Sequence, residues 1–183
     1  MKSFLTLLIL LAAGISSAAD PVEHRSASEA YTDPETKIAF PAAAGKFRKK
    51  EVSRSFNPMI GTTIRYTDPD GYCADVYLYS LPVEKKELSQ QLIQKHFQEV
   101  KNAVLNLVSK GLALKKVTLT GEKMENRNGI PVYSAEFLLS WSDGITQRSF
   151  LKLFFFRGKI IKFRISSDPE HAETFSNEIL KIF

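Results

Sequence analysis

The stretch FLKLFFFRGKIIKFRISS, Phe150–Ser167, decides the fold. Arg157 and Gly158 stand between two runs rich in aromatic and β-branched residues, the pattern of two strands joined by a two-residue turn. That turn pairs Phe156 with Lys159, Phe155 with Ile160 and Phe154 with Ile161. Successive strand residues point to opposite faces, so LFFF opposite II makes both faces of the hairpin apolar near its end. A sheet with one wet face would alternate apolar and polar residues, and this hairpin does not. It belongs in the middle layer of a sandwich.

The neighbouring segments extend this layer. Asn128-Gly129 and Asp143-Gly144 are strong hairpin signals, and with Arg157-Gly158 they divide the chain from Leu114 into a four-stranded antiparallel meander. Upstream, Leu92, Ile93, His96, Phe97, Val100, Ala103, Val104, Leu107 and Val108 recur at helical spacing with glutamines and lysines opposite. One long helix over about 86–110 is expected, ended by Gly111 after Lys110. Downstream, Ser167, Asp168, Pro169 and Glu170 carry the cap, proline and acid of a helix start, giving a C-terminal helix over about 169–182. Ahead of the long helix, IAF, KFRKKEVSRSF, IGTTIRY and YCADVYLYSL read as short strands, with TDPDG as a turn between the last two. The expected class is α+β, an α/β/α sandwich around a mainly antiparallel central sheet, in a single domain over 38–183.

Residues 1–19, MKSFLTLLILLAAGISSAA, have a positive start at Lys2, an apolar run and a small-residue exit. This is the pattern of a secretory signal peptide, too short to span a bilayer comfortably. Residues 20–37, with two prolines and few large apolar side chains, read as a flexible leader. Without the signal 164 residues remain, enough for one cored domain, and loss of Lys2 lowers the formal net charge from +5 to +4. An excess this small, in an exported chain, argues against a nucleic-acid partner. Asparagine is nowhere in an N-x-Ser/Thr sequon, which leans towards a bacterial envelope protein, periplasmic or extracellular. Cys73, the one cysteine, excludes an intrachain disulfide and is expected to be a buried thiol, with an intermolecular bond or a reactive site as the alternative.

The order of elements resembles the PsbP-like sandwich, the fold of the photosystem II extrinsic P subunit and of secreted bacterial domains. The resemblance covers roughly 38–183 and rests on IAFP, on GTTIRY and ADVYLY around TDPDG, on the long helix and on FLKLFFFRGKIIKFRISS. It implies a binding or assembly domain and brings no functional residue with it.

Catalytic and metal motifs are missing from the sequence. Asp68 and Asp70 are spaced like the opening of a calcium loop, but Pro69 interrupts it and no closing glutamate follows, so turn chemistry explains the segment. His24, His96 and His171 are scattered, with no HxxxH or HxH pair, and His96 is expected as a partly buried, hydrogen-bonded residue. There is no GxSxG elbow, no phosphate loop and no histidine near Cys73 in sequence. A non-enzymatic protein without a cofactor is therefore expected.

Two clusters suit binding. Lys46, Arg48, Lys49, Lys50 and Arg54 decorate an early strand, either protecting a sheet edge or docking an acidic partner or anionic lipid headgroups. Aromatic residues crowd the strands, most of them as core. Among them Tyr66, Tyr77 and Tyr79, with the cations Lys162 and Arg164, form the candidate ligand or partner surface. Another envelope protein is the leading partner, and a small molecule or lipid in a cleft between helix and sheet is the alternative.

Overall fold

A computed structural model describes residues 22–25, 29–83, 88–110 and 113–183. The expected signal peptide, the start of the long helix near 86 and its terminator Gly111 lie outside the described residues. The strands preceding the long helix are β1 (Val22–Arg25), β2 (Tyr31–Thr32), β3 (Ala39–Phe40), β4 (Ala43–Ala44), β5 (Phe47–Ser55), β6 (Thr62–Thr67) and β7 (Cys73–Tyr79). Helix α1 (Gln90–Leu105) runs into a 3₁₀ turn (Asn106–Lys110), and the meander follows as β8 (Leu114–Arg127), β9 (Ile130–Trp141), β10 (Thr146–Phe156) and β11 (Lys159–Ser166) before α2 (Pro169–Leu180).

Among the described residues nine strands form one antiparallel sheet in the order β1-β5-β6-β7-β11-β10-β9-β8, with β4 also on β5. Arg157 and Gly158 both have positive φ, 47° and 84°, as a tight hairpin turn requires, and Phe154 pairs with Ile161 and Phe155 with Ile160 as expected. The β7–β11 pairing joins the N-terminal strands to the meander.

Alternation along β11 sorts the core into two. Ile161, Phe163 and Ile165 join Ile64, Tyr66, Val76, Phe154 and Phe175 beneath α2. Ile160 joins Tyr79, Phe97, Tyr133, Phe137, Leu151 and Leu153 beneath α1. The sheet is thus covered by a helix on each face, the α/β/α sandwich demanded by a hairpin that is apolar on both sides.

Several expectations are corrected. Helix α1 begins at Gln90, because the Ser89 side chain accepts the Leu92 N–H and caps it there. Its last turn tightens to 3₁₀, and the change of period leaves Val108 exposed where helical spacing had placed it with the core. The folded body starts before Ile38: Val22–Arg25 pairs with β5, and Tyr31 and Asp33 are buried, with Asp33 accepting from the Thr36 N–H at 2.7 Å. The flexible leader therefore does not extend over residues 29–37. The basic strand β5 is no bare edge, since β6 pairs along one side and β1 and β4 along the other. Four of the five clustered cations rest on local partners, Lys46 just ahead of the strand on Asp70 at 2.8 Å, Arg48 on the Gly45 carbonyl at 2.9 Å, Arg54 on Glu35 at 3.1 Å and Lys49 on the Glu29 carbonyl.

Candidate functional site

Helix α1 stands over β8, β9 and β10 and reaches β7 at Tyr79, while Asp75 and Tyr77 on the same face stay partly exposed. At this step in the surface the register sets Lys162 directly opposite Tyr77, Arg164 opposite Asp75 and Arg65 opposite Asp75 on the other side. Two-residue periodicity places Tyr77, Tyr79, Lys162 and Arg164 all on the α1 face, so four of the five expected surface residues come together.

Tyr66 does not join them. It lies on the α2 face, wholly buried, its ring edge-on to Phe175 and its hydroxyl donating to the Pro41 carbonyl at 2.9 Å. Strand parity settles the difference, because Tyr66 pairs with Ala74 and shares that residue's face, opposite to Asp75 and Tyr77.

The Lys162 ammonium sits 4.0 Å from the centre of the Tyr77 ring and 5.5 Å from that of Tyr79. Such contacts stabilise a cation electrostatically without neutralising it. Among the described residues Lys162 has no ion pair. Burial, reinforced by the positive charge of Arg164 and opposed by Asp75, lowers its pKa to about 8. Arg164 donates to the Ser149 hydroxyl at 2.9 Å and lies 5.9 Å from the Phe137 ring centre. The carboxylate nearest these cations is already engaged, since Asp75 accepts from Arg65 through both oxygens, at 2.8 and 3.0 Å.

His96 closes the helix side of the cluster. Its Nε2 is 2.8 Å from the Tyr79 hydroxyl and its Nδ1 3.4 Å from the Glu99 carboxylate. A carboxylate only accepts, so Nδ1 carries the proton and Nε2 receives the tyrosine hydroxyl. Burial lowers the pKa of His96 despite Glu99, keeping the ring neutral near pH 7. Sequence reasoning placed His96 on the buried side of its helix but had no signal for Tyr79 as its partner, because the two meet only when α1 lies down on the sheet.

The remaining sequence candidates resolve into local structure. Asp68 accepts the N–H groups of Asp70 and Tyr72 through Oδ1, at 3.0 and 2.9 Å, which is turn chemistry. Cys73 is half-buried rather than enclosed, and burial raises its thiol pKa. His171 contacts Asp168, whose carboxylate accepts the His171 N–H at 3.0 Å and caps α2. Among the described residues no three His, Cys, Asp or Glu side chains gather as a metal site. No helix there is long and apolar enough to cross a membrane.

A second feature escaped the sequence reading. The β5–β6 loop presents Phe56, Met59 and Ile60 to water, 72%, 48% and 48% exposed. Its backbone is tied down: the Ile60 and Gly61 N–H groups donate to the Asn57 carbonyl at 3.0 and 2.8 Å, and the Ser80 N–H to the Pro58 carbonyl at 2.8 Å. A Cβ on Gly61, φ +66°, would lie 1.9 Å from the Leu78 carbonyl oxygen, so only glycine fits there. Beside the loop, Glu35, Arg54 and Lys159 line a cleft of about 80 Å³, well below the roughly 300 Å³ of an ordinary small-molecule pocket.

No family model and no curated protein matches the chain. Among solved structures it is similar to the solution structure of cyanobacterial PsbP (CyanoP) from Synechocystis sp. PCC 6803, with 13% sequence identity and a TM-score of 0.49 over 94% of this chain and 95% of that one. The match falls in the group whose architecture the sequence resembles, and it brings no residue role with it.

Proposed function

We propose that the protein is an exported, non-enzymatic binding or assembly domain of the bacterial cell envelope, and that it engages another envelope protein through the β5–β6 loop. The observation that carries this reading is the exposure of Phe56, Met59 and Ile60 on a loop held in shape by its own hydrogen bonds. Large apolar side chains presented on ordered backbone lose little conformational entropy on docking, and such residues supply much of the binding energy of protein interfaces. Export rests on the pattern of residues 1–19 and the non-enzymatic reading on the sequence's lack of a catalytic motif. The test is a photo-crosslinking amino acid placed at Phe56 or Met59 in the exporting host, with exposed Lys115 on β8 as control. A discrete protein adduct from the loop positions alone is expected. Adducts indistinguishable from those at position 115 would remove the reading.

The uncompensated cations beside α1 favour a second reading, a small-molecule module with its site between helix and sheet. A thermal shift in a mixed metabolite extract that vanishes in Lys162→Met is its expected signature, and no shift counts against it.

A further inference from the structure

We propose that Lys162 and Arg164 form a carboxylate-binding site on the α1 face of the sheet, with Tyr77 as its wall. This rests on the ligand-binding reading and gives it a ligand class. Residues 162 and 164 lie two apart on β11, so both cations project from one face, and neither has an anion of its own among the described residues. Half-buried charges of one sign are ordinarily paired. The acid within reach, Asp75, has both oxygens on Arg65, leaving three cations around one carboxylate. Arg164 gives one of its donors to Ser149 and lies near the Phe137 ring, with no carboxylate partner of its own among the described residues, so its planar fork matches the two oxygens of a carboxylate, with Lys162 beside it as a point charge. The Tyr77 ring, 4.0 Å from the ammonium, provides apolar surface for the body of the ligand.

The probes are acetate and benzoate, titrated into protein carrying ε-¹³C lysine at constant ionic strength made up with sodium chloride, and compared with inorganic phosphate. A saturable shift of the Lys162 signal in the millimolar range is expected, larger for benzoate because of the Tyr77 ring. The bound carboxylate should also raise the Lys162 titration midpoint above about 8. Lys162→Met, read through a backbone amide of β11, and Arg164→Met should each weaken binding by roughly tenfold or more. If Arg164→Met does not fold, Arg164→Lys keeps the charge, removes the fork and should weaken carboxylate binding alone. Asp75→Asn removes the competing carboxylate and should tighten binding. Absence of a saturable shift, an equal response to chloride, or a response to phosphate without one to the carboxylates would each overturn the assignment. A Lys162-dependent thermal shift from a metabolite extract, with no carboxylate response, would overturn the ligand class and leave the module reading standing.

Discussion

The Lys162 ammonium lies 4.0 Å from the centre of the Tyr77 ring, the side chain directly opposite it across the β7–β11 pair. An aromatic face attracts a cation but takes no proton and cancels no charge. With Arg164 on the same face and Asp75 held by Arg65, Lys162 is a charge the fold tolerates at a cost.

That cost sets a pH dependence. The folded-state pKa of Lys162 is about 8, below its ordinary 10.5, so between these values the unfolded chain binds more protons than the folded one. Stability from this group therefore rises with pH across that window, and the full penalty applies below it. Lys162→Met should raise the melting temperature at pH 7, with the gain shrinking towards pH 10. A melting temperature at pH 7 unchanged or lowered by the substitution would contradict the charge balance assigned to this face.

His96 titrates in the opposite practical range. Burial lowers its pKa from 6.5, so on acidification the unfolded chain gains a proton before the folded chain does, and the stability tied to the neutral ring is lost as pH falls through that region. Protonation also puts a hydrogen on Nε2, ending its role as acceptor from the Tyr79 hydroxyl. Ring ¹⁵N shifts should show an Nδ1–H tautomer at pH 7. A double-mutant cycle of Tyr79→Phe with His96→Gln should give a coupling of about 1 kcal/mol at pH 7. A coupling near zero would mean that the two side chains do not bond in solution.

The middle layer was legible in residues 150–167 because burial on both faces is written directly as unbroken apolar runs. Arg157-Gly158 then set the register without ambiguity. What stayed hidden depends on irregularity or on long-range contact. A bulge between Lys49 and Glu51 shifts the alternation of β5, so that Phe47 and Val52, five residues apart, face the same core. Tyr66 shares the chemistry of Tyr77 and Tyr79, but the β6–β7 register puts it through the sheet from them. The exposed Phe56, Met59 and Ile60 read in sequence like any apolar strand end, and only the packed structure separates an apolar residue inside from one outside.

Gly61 is the residue on which the shape of that loop depends. Gly129 has a similar positive φ, 84°, but open space where a Cβ would go, so Gly129→Ala measures backbone strain alone, about 1–2 kcal/mol. Gly61→Ala adds a Cβ 1.9 Å from the Leu78 carbonyl oxygen, a clash that requires backbone movement. Its destabilisation in urea should exceed that of Gly129→Ala. Equal effects would show that the loop yields easily, contrary to the hydrogen bonds that hold it.

Tyr66 offers the complementary test of which face binds. Tyr66→Phe keeps the ring against Phe175 and removes the donor to the Pro41 carbonyl, which should cost about 1 kcal/mol through one lost partly buried hydrogen bond. Because the sheet stands between Tyr66 and Lys162, the Lys162 response to acetate should be the same in Tyr66→Phe as in the unaltered chain, whereas Tyr77→Leu should weaken it by removing the aromatic wall. A Tyr66→Phe protein that folds normally but loses the acetate response would contradict the assignment of the binding surface to the α1 face alone.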